Sequence, residues 1–476
     1  MQVSTINFQN LNHEFRIDAE YYREEVLNCL NVLEKHNKDS LDNLVDFIIG
    51  PFGSTVKVDQ YVDKSGYRYI RNKDINDFLI KGDEPALIPK DVYDNLPKYH
   101  IKEKDLLITV VGTLGKVAIA TNKDTKSIFS CKSTIIRAKS INPFYLLTYL
   151  NSNTGRLFSL RGKRGAIQEG LNLPDLKEIQ VFIPSNKFQT LIETTVKKSF
   201  AEADKSKKLY SKAQSLLLSE LGLTNWQPKH QLTFIKNYAD TKQAGRIDAD
   251  YFQPFYEEIG RKLQSTGFVF AKDICSKINY GTVPTSPYSE GNSGIPYIKG
   301  LNLRGLQVVT DKLDYITNTK DLQTKVFTKE GDIIISQMGT VGNCGVVSKE
   351  QENWVFASFT IRIRILDKSK YNPYFVALYI ENIAKPYYLM RNIAQASVRQ
   401  NTDLPTIKNM PIPDLPIGKQ QQISLKITES FNLRKQSKHL LECAKRAVEM
   451  AIEQNEKTAI NWLENETNEM EMVSSG

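Results

Sequence analysis

Arg16-Ile17-Asp18-Ala19-Glu20-Tyr21-Tyr22 returns 230 residues further on as Arg246-Ile247-Asp248-Ala249-Asp250-Tyr251-Phe252, and that recurrence decides how the rest of the chain is parsed. Outward from it, the echoes keep their order. Tyr69-Ile70-Arg71 is matched by Tyr297-Ile298-Lys299, and Glu103-Lys104-Asp105-Leu106-Leu107-Ile108 by Glu330-Gly331-Asp332-Ile333-Ile334-Ile335. Gly112-Thr113-Leu114-Gly115 is matched by Gly339-Thr340-Val341-Gly342, and Leu173-Pro174 by Leu404-Pro405. The offset stays between 227 and 231, so one unit has been used twice with small insertions. Such a period lies far outside the roughly 20–50 residues of solenoid repeats. Each copy is long enough to bury a core of its own. Two similar but unequal domains suit a reader of two similar but unequal things.

Bulk composition narrows the class. With 41% hydrophobic and 25% charged residues the chain has the balance of an ordinary soluble globular protein. A net charge of +9 permits a polyanionic partner without proving one. The first eight residues lack a basic segment followed by an apolar core, so no signal peptide is expected. No apolar run approaches the length that crosses a bilayer. The five cysteines are scattered. None is expected to form a Cys-x-x-Cys pair or to sit near a histidine, so reduced thiols, a cytoplasmic location, no metal site and no cofactor are expected.

Within each copy the patterns repeat as well. After Asp18, the spacing of Tyr22, Val26, Leu30 and Leu33 predicts a helix covering a core. Leu106 to Val111 and Ile333 to Ile335 read as buried strands; each leads through a Gly-Thr turn to a second strand, at Lys116 to Ala120 or Cys344 to Val347. Asn142-Pro143-Phe144-Tyr145 and Asn372-Pro373-Tyr374-Phe375 have a superficial likeness to the Asn-Pro-Pro-Tyr of amino-methyltransferases. Both lack the second proline, and neither copy has a glycine-rich cofactor loop. Asn as N-cap with Pro in the first helical turn is the preferred reading. Each copy closes with a long helix. One runs from about Lys187 to Leu221 and stops at Gly222; the other runs from about Lys419 to Leu463. Ile192, Val196, Ala203, Tyr210, Ala213 and Leu217, and then Ile423, Ile427, Leu441, Ala444 and Val448, approach heptad spacing, which favours a coiled coil. Ser199, Ser206, Arg434 and Ser437 interrupt the seams. About 35 residues at about 1.5 Å each make a rod of about 50 Å. Antiparallel pairing would place the globular units at its two ends about a pseudo-two-fold axis.

Taken together, these residues resemble the specificity (S) subunits of type I restriction–modification systems, over almost the whole chain. The resemblance is carried by the Arg-Ile-Asp-Ala-Glu/Asp-Tyr segments, by Gly50-Pro51-Phe52-Gly53-Ser54, and by the run from Lys329 to Gly342. It is carried also by the Leu-Pro segments before Ile183-Pro184 and Leu415-Pro416 and by Gln420-Gln421-Gln422. The glutamine-rich start is weaker in the first copy, at Asn186-Lys187-Phe188-Gln189. The resemblance implies an α+β chain of two tandem α/β target recognition domains joined by two long antiparallel coiled-coil helices. Its expected segments are a first recognition domain (1–185), a central helix (186–222), a second recognition domain (223–417), a distal helix (418–464) and a flexible acidic tail (465–476). It further implies no catalysis by this chain, double-stranded DNA as partner, two docked methyltransferase subunits, restriction subunits as optional additions, and no membrane. A DNA-modifying enzyme with degenerate Asn-Pro-Phe-Tyr loops, or a coiled-coil adaptor without DNA binding, are the alternatives.

Such a reader needs phosphate contacts for register and base-edge contacts for sequence. A 50 Å rod would span on the order of 15 base pairs at 3.4 Å each, so an asymmetric two-block target is expected. In the first copy the best basic cluster is Leu160 to Gln168, with Arg161, Lys163, Arg164 and Gln168. In the second it is Arg391-Asn392 with Ser397-Val398-Arg399-Gln400-Asn401. Arginine reads guanine bidentately, and glutamine or asparagine reads adenine the same way. Lys57, Arg71, Asn72, Lys73, Lys116, Lys299, Arg304 and Gln337 are further candidates.

Overall fold

Leu106-Leu107-Ile108-Thr109 is buried at all four positions, because the strand that it forms is covered on both faces. In the computed structural model the described residues are 6, 11, 16–165, 169–284, 287–289, 293–317, 322, 326–393 and 401–475, without the side chains of 471–475. The chain divides into two compact units, Met1–Asp204 with Arg434–Gly476 and Lys205–Leu433.

In the first unit, α1 (Glu24–Leu33) buries Val26 and Leu33. The main sheet contains β1 (Val45–Ile49), β2 (Phe78–Leu79), β3 (Leu106–Thr109), β4 (Val117–Ile119) and β5 (Ser133–Ala138), in the order β1-β5-β3-β4-β2. The expected hairpin is the antiparallel β3–β4 pair, Leu106 opposite Ile119. Leu106 and Ile108 face a core shared with Val117, Ile136, and the helices α2 (Pro143–Asn151) and α3 (Asn153–Arg161). Leu107 points the other way, into a second cluster with Ile70, Ala118, Phe129 and Ile135. That alternation explains the continuous apolar run: a strand with both faces covered has no polar side. Burial of each such side chain is worth about 1.5–3 kcal/mol. A short helix, α4 (Leu173–Lys177), follows.

The second unit repeats the scheme. After α5 (Asn186–Glu220) and α6 (Pro254–Thr266) come β6 (Cys275–Tyr280), β7 (Leu303–Arg304), β8 (Leu306–Val308), β9 (Ile333–Ser336), β10 (Cys344–Val346) and β11 (Thr360–Ile365), in the order β6-β11-β9-β10-β8-β7. Ile333 and Ile335 join the core with α7 (Pro373–Tyr379), and Ile334 joins the smaller cluster beneath. Then follow α8 (Leu404–Lys408), α9 (Ile417–Glu453) and α10 (Glu456–Ser475).

The long helices α5 and α9 contribute to both cores. In the first unit Phe188, Ile192 and Val196 share a core with Ala444, Val448 and Ala451. In the second, Ala213 and Leu217 share one with Ile423 and Ile427. The serines that break the apolar seam are matched. In the first unit Ser199 Oγ donates to the Ser437 carbonyl at 2.9 Å. In the second, Ser206 Oγ donates to the Ser430 carbonyl at 2.7 Å, and Ser430 Oγ donates back to the Ser206 carbonyl at 2.8 Å. Lys419 pairs with Glu220 at 2.9 Å, which with Ser206–Ser430 makes the pairing in that unit antiparallel. A buried hydroxyl without a partner costs about 1–3 kcal/mol, and matched serines avoid that cost. Gly222 ends α5 with φ +63°, and the Leu223 N–H reaches back to the Leu218 carbonyl at 2.7 Å, a left-handed stop that glycine adopts without strain.

Three details differ from the sequence pattern. The distal helix drawn over 418–464 is divided at Gln454-Asn455, where Asn455 Oδ1 accepts from the Thr458 N–H at 2.9 Å and caps α10. The segment from 465, expected as a flexible tail, continues as helix to Ser475. Cys443 does stand beside a histidine: His439 precedes it by one helical turn, with Sγ and Nε2 3.4 Å apart. Spacing of four within a helix brings side chains together, a signal that an inspection for sequence neighbours overlooks.

Candidate nucleic-acid interface

β1, β5, β3 and β4 run antiparallel in turn, so the end of β1, the start of β5, the end of β3 and the start of β4 lie at one edge of the sheet. Five backbone segments meet there. The Val110 N–H donates to the Lys132 carbonyl at 2.9 Å, the Ser130 N–H to the Ile70 carbonyl at 3.0 Å, and the Leu171 N–H to the Val110 carbonyl at 2.9 Å. Asn72 Nδ2 donates to the Val111 carbonyl at 2.9 Å. Gly50 packs so tightly that a Cβ would stand 2.3 Å from the Ser130 carbonyl oxygen. Phe52 beyond it is 86% exposed. The second unit assembles the same edge. The Gln337 N–H donates to the Phe359 carbonyl at 3.0 Å, the Ala357 N–H to the Ile298 carbonyl at 2.9 Å, and the Thr402 N–H to the Gln337 carbonyl at 3.1 Å. Gly281 has the role of Gly50, its notional Cβ 2.1 Å from the Phe356 carbonyl oxygen. Val283 and Phe359 are exposed at 64% and 57%. The Gly-Thr turns carry positive φ at Gly112, Gly115, Gly339 and Gly342.

Next to this edge in the first unit, where the Arg164 N–H donates to the Gly170 carbonyl at 3.0 Å, the opening motif forms a clamp, and the second unit has a similar one. Arg16 binds Asp18 through Nε at 2.8 Å and reaches Asp175 at 3.2 Å. Arg161 donates from Nε to the Tyr21 carbonyl at 2.9 Å and lies 3.8 Å above the Tyr21 ring. Burial pushes its guanidinium below the usual arginine value. In the second unit Arg246 binds Asp248 at 2.8 Å, and Arg391 donates to the Tyr251 carbonyl at 3.0 Å and stacks 4.5 Å from that ring. An arginine between a carbonyl and an aromatic face is held by charge-assisted hydrogen bonding and cation–π attraction together.

The other sequence candidates fall into groups. Arg164 is bound to Asp175 at 2.9 and 2.8 Å, and Lys163 to Glu169 at 2.6 Å. Arg71 holds Asp74 at 3.0 Å and the Glu84 carbonyl at 2.7 Å. Lys299 is paired with Asp314. Arg304 is exposed and donates to the Leu301 carbonyl at 3.0 Å. Lys57 and Lys73 are exposed; Lys116, Gln337 and Asn401 are half-buried. Asn401 bridges to Met338, and Asn392 binds the Tyr388 carbonyl at 2.7 Å. Gln168, Ser397, Val398, Arg399 and Gln400 lie outside the described residues. The sheet edge thus brings together Arg71, Asn72, Lys73 and Lys116 in one unit and Lys299, Gln337 and Asn401 in the other. Arg161 and Arg391 lie in the clamps. Sequence reasoning missed Phe52, Lys132, Val283 and Phe359 as residues of the edge, although their position next to strand ends was the available signal.

The Asn-Pro motifs are helix caps. Asn142 Oδ1 accepts from the Phe144 and Tyr145 N–H groups at 2.9 and 3.2 Å, and Asn372 Oδ1 from those of Tyr374 and Phe375 at 2.9 and 3.3 Å. Their own N–H groups donate to Gln189 and Gln420 side chains at 3.0 and 2.9 Å. Gln189 therefore latches the first copy as Gln420 latches the second, despite the weaker glutamine signature there.

Comparison with known proteins follows the same outline. The profile of the family described as the type I restriction modification DNA specificity domain matches residues 49–212 and 266–442. The type I restriction enzyme EcoBI specificity subunit of Escherichia coli is 28% identical over 151 residues, 32% of this chain and 32% of that protein. The match therefore spans about a third of the length of that curated relative. The type I restriction–modification S subunit of M. genitalium is similar over 87% of this chain and 94% of its own, at 14% identity and a TM-score of 0.45. The HsdS subunit of Thermoanaerobacter tengcongensis is similar over 88% and 97%, at 13% identity and a TM-score of 0.28.

Proposed function

The chain belongs to the family of the type I restriction modification DNA specificity domain, and on that premise we propose that it is a DNA sequence-specificity subunit with no catalysis of its own. Each unit reads one block of a two-block, asymmetric target with the loops at the edge of its sheet. Methyltransferase subunits, two per chain, carry out the modification, and restriction subunits join them in cleavage.

The observation that supports this reading most is the pair of sheet edges: the same backbone frame with different side chains. Lys132 of the first unit stands where the second has Phe359, Lys73 where it has Leu301, Val110 where it has Gln337, and Lys116 where it has Asn343. A fixed frame with exchanged side chains is what two different base sequences require, since phosphate contacts set register and base-edge contacts set sequence. Lys57, Lys73, Lys116 and Lys132 are assigned to phosphates, and Gln337 and Asn401 to base edges. Arg161, Arg164, Arg71 and Arg391 support the frame. The chain passes between its units only within α5 and α9, so the spacing between blocks is assigned to these helices.

Methylome sequencing of a host expressing the chain with its methyltransferase partner tests the proposal. One motif of two unlike blocks is expected. Replacing the first unit's edge loops by those of another family member should alter one block and leave the other and the gap intact. A matched seven-residue insertion at 204/205 and 433/434 should lengthen the gap by about 3 base pairs, from about 1.5 Å per residue against 3.4 Å per base pair. Methyl transfer by the chain alone, or both blocks changing after a one-unit loop exchange, would overturn it.

A further inference from the structure

We infer a zinc-binding site between α9 and α10, formed by His439, Cys443 and Glu466. His439 and Cys443 stand four residues apart on α9 and therefore share one face of that helix. Glu466 reaches them from α10. Cys443 Sγ lies 3.4 Å from His439 Nε2, and the same nitrogen lies 3.5 Å from Glu466 Oε2. All three ligand atoms fall within 4.8 Å of one another. A tetrahedral Zn2+ bonded at about 2.3 Å to sulfur and about 2.0–2.1 Å to nitrogen and oxygen sets its ligand atoms about 3.3–3.6 Å apart. Two of the separations already have that value, and the third, sulfur to carboxylate, lies within 4.8 Å and closes by a turn of the partly exposed Glu466 side chain.

The donor set points to the metal. A thiolate with an imidazole suits Zn2+ and its analogue Co2+ and disfavours Mg2+ and Ca2+, which take oxygen ligands. Thiolate and carboxylate together supply two negative charges, so the loaded site is neutral. On loading, the Cys443 thiol proton passes to solvent, a sulfur–zinc bond forms in its place, and no electron is transferred. The burial is graded: Cys443 is 3% exposed, whereas the His439 and Glu466 side chains are 48% and 33% exposed. Zinc can thus enter from solvent and keep a water as fourth ligand. The helix α10 already places Ala459 and Leu463 in the core of the first unit; the metal would fasten its following turn to α9. None of its three residues belongs to the sheet edges, and its test does not depend on the DNA-reading proposal.

The 476-residue chain, stripped of metal with a chelator, is titrated anaerobically with Co2+ and then with Zn2+. One equivalent of Co2+ should give a thiolate-to-cobalt charge-transfer band that Zn2+ abolishes. Cys443→Ser should lose the band although four other cysteines remain. Because Cys443 faces the core, the exposed-side variant Glu466→Gln, with helix content checked by circular dichroism, provides the second reading. It should weaken Zn2+ binding at least as much as the loss of an outer-shell partner does, about 10–100-fold. Absence of the band in the unaltered chain, its survival in Cys443→Ser, or unchanged affinity in Glu466→Gln would each overturn the three-ligand site.

Discussion

The two units share their fastenings and differ where those fastenings leave freedom. Asp105 holds Arg137 through two bonds of 2.7 Å, and Asp332 holds Arg364 through bonds of 2.6 and 2.7 Å. The Arg–Asp and Arg–Tyr pairs of the clamps, the caps and the glutamine latches also repeat, although Thr406 stands in the second copy where Asp175 receives Arg16 in the first. Yet Ile135 in the first sheet is replaced by Arg362 in the second, fully buried, bound to Asn279 at 2.7 Å and to the Phe327 carbonyl at 2.9 Å. After α2 the first unit turns at Ser152, whose hydroxyl accepts from the Gly155 N–H at 3.2 Å. At the corresponding place, the second continues as a wide-turned helix over Ile380–Leu389 around Pro386. The difference teaches that what holds a frame together is kept through duplication, while the filling of the sheet and the edge chemistry are free to diverge.

The largest test of this comparison is Asp332→Ala. It leaves Arg362 as a buried charge without its carboxylate, and should destabilise the second unit by about 3–5 kcal/mol. Asp105→Ala, beside the partly exposed Arg137, should cost the first unit about 1–3 kcal/mol. Hydrogen exchange resolved by unit measures both, and equal losses would remove the asymmetry. Next come the clamps. Arg161→Ala and Arg391→Ala should each cost about 1–3 kcal/mol and leave the salt dependence of DNA binding by the assembled complex unchanged. Lys132→Ala should lower its log–log slope by about one. A fall of that size for Arg161→Ala would move this residue from support to phosphate contact.

Gln189→Ala and Gln420→Ala should have matching effects of about 1–2 kcal/mol each, read by urea denaturation; a negligible change in either would show that its latch is dispensable. Smallest is Tyr21→Phe, which removes the 3.0 Å bond to Glu178 for about 0.5–1.5 kcal/mol. Tyr251→Phe should cost less, because Asn409 stands at the place of Glu178 in the second copy. Burial pushes the Tyr21 hydroxyl up to about 12 from an ordinary 10. Its folded form therefore favours the protonated phenol: the contribution is full below about pH 10 and disappears as pH rises towards about 12. Tyr21→Phe should abolish that portion of alkaline sensitivity.

Much of the fold was legible because its signals are local. Alternation of three- and four-residue apolar spacing marked α5 and α9, Gly222 marked a helix end, and Asn-Pro marked the starts of α2 and α7. The division at Asn455 was not read, because a capping asparagine inside a long periodic segment resembles any surface asparagine until its side chain turns back to Thr458. For the candidate interface, basic clusters near glycines were visible, but not the partners of their cations. Arg161 meets Tyr21 across 140 residues of chain, and Arg71 closes on Asp74 within a single turn; sequence shows the charge in both cases and the commitment in neither.

By itself the amino-acid sequence determined the duplication, the kinds of element in each copy, and membership of a family, since repeats, periodicity and turn residues are properties of neighbours along the chain. Which arginines brace the frame, which side chains reach the sheet edge, and that a histidine, a cysteine and a glutamate from two helices converge were decided only by tertiary structure. Hydrogen bonds and ligand geometry depend on distances of a few ångströms between residues that the chain holds far apart, and only packing brings those residues within reach.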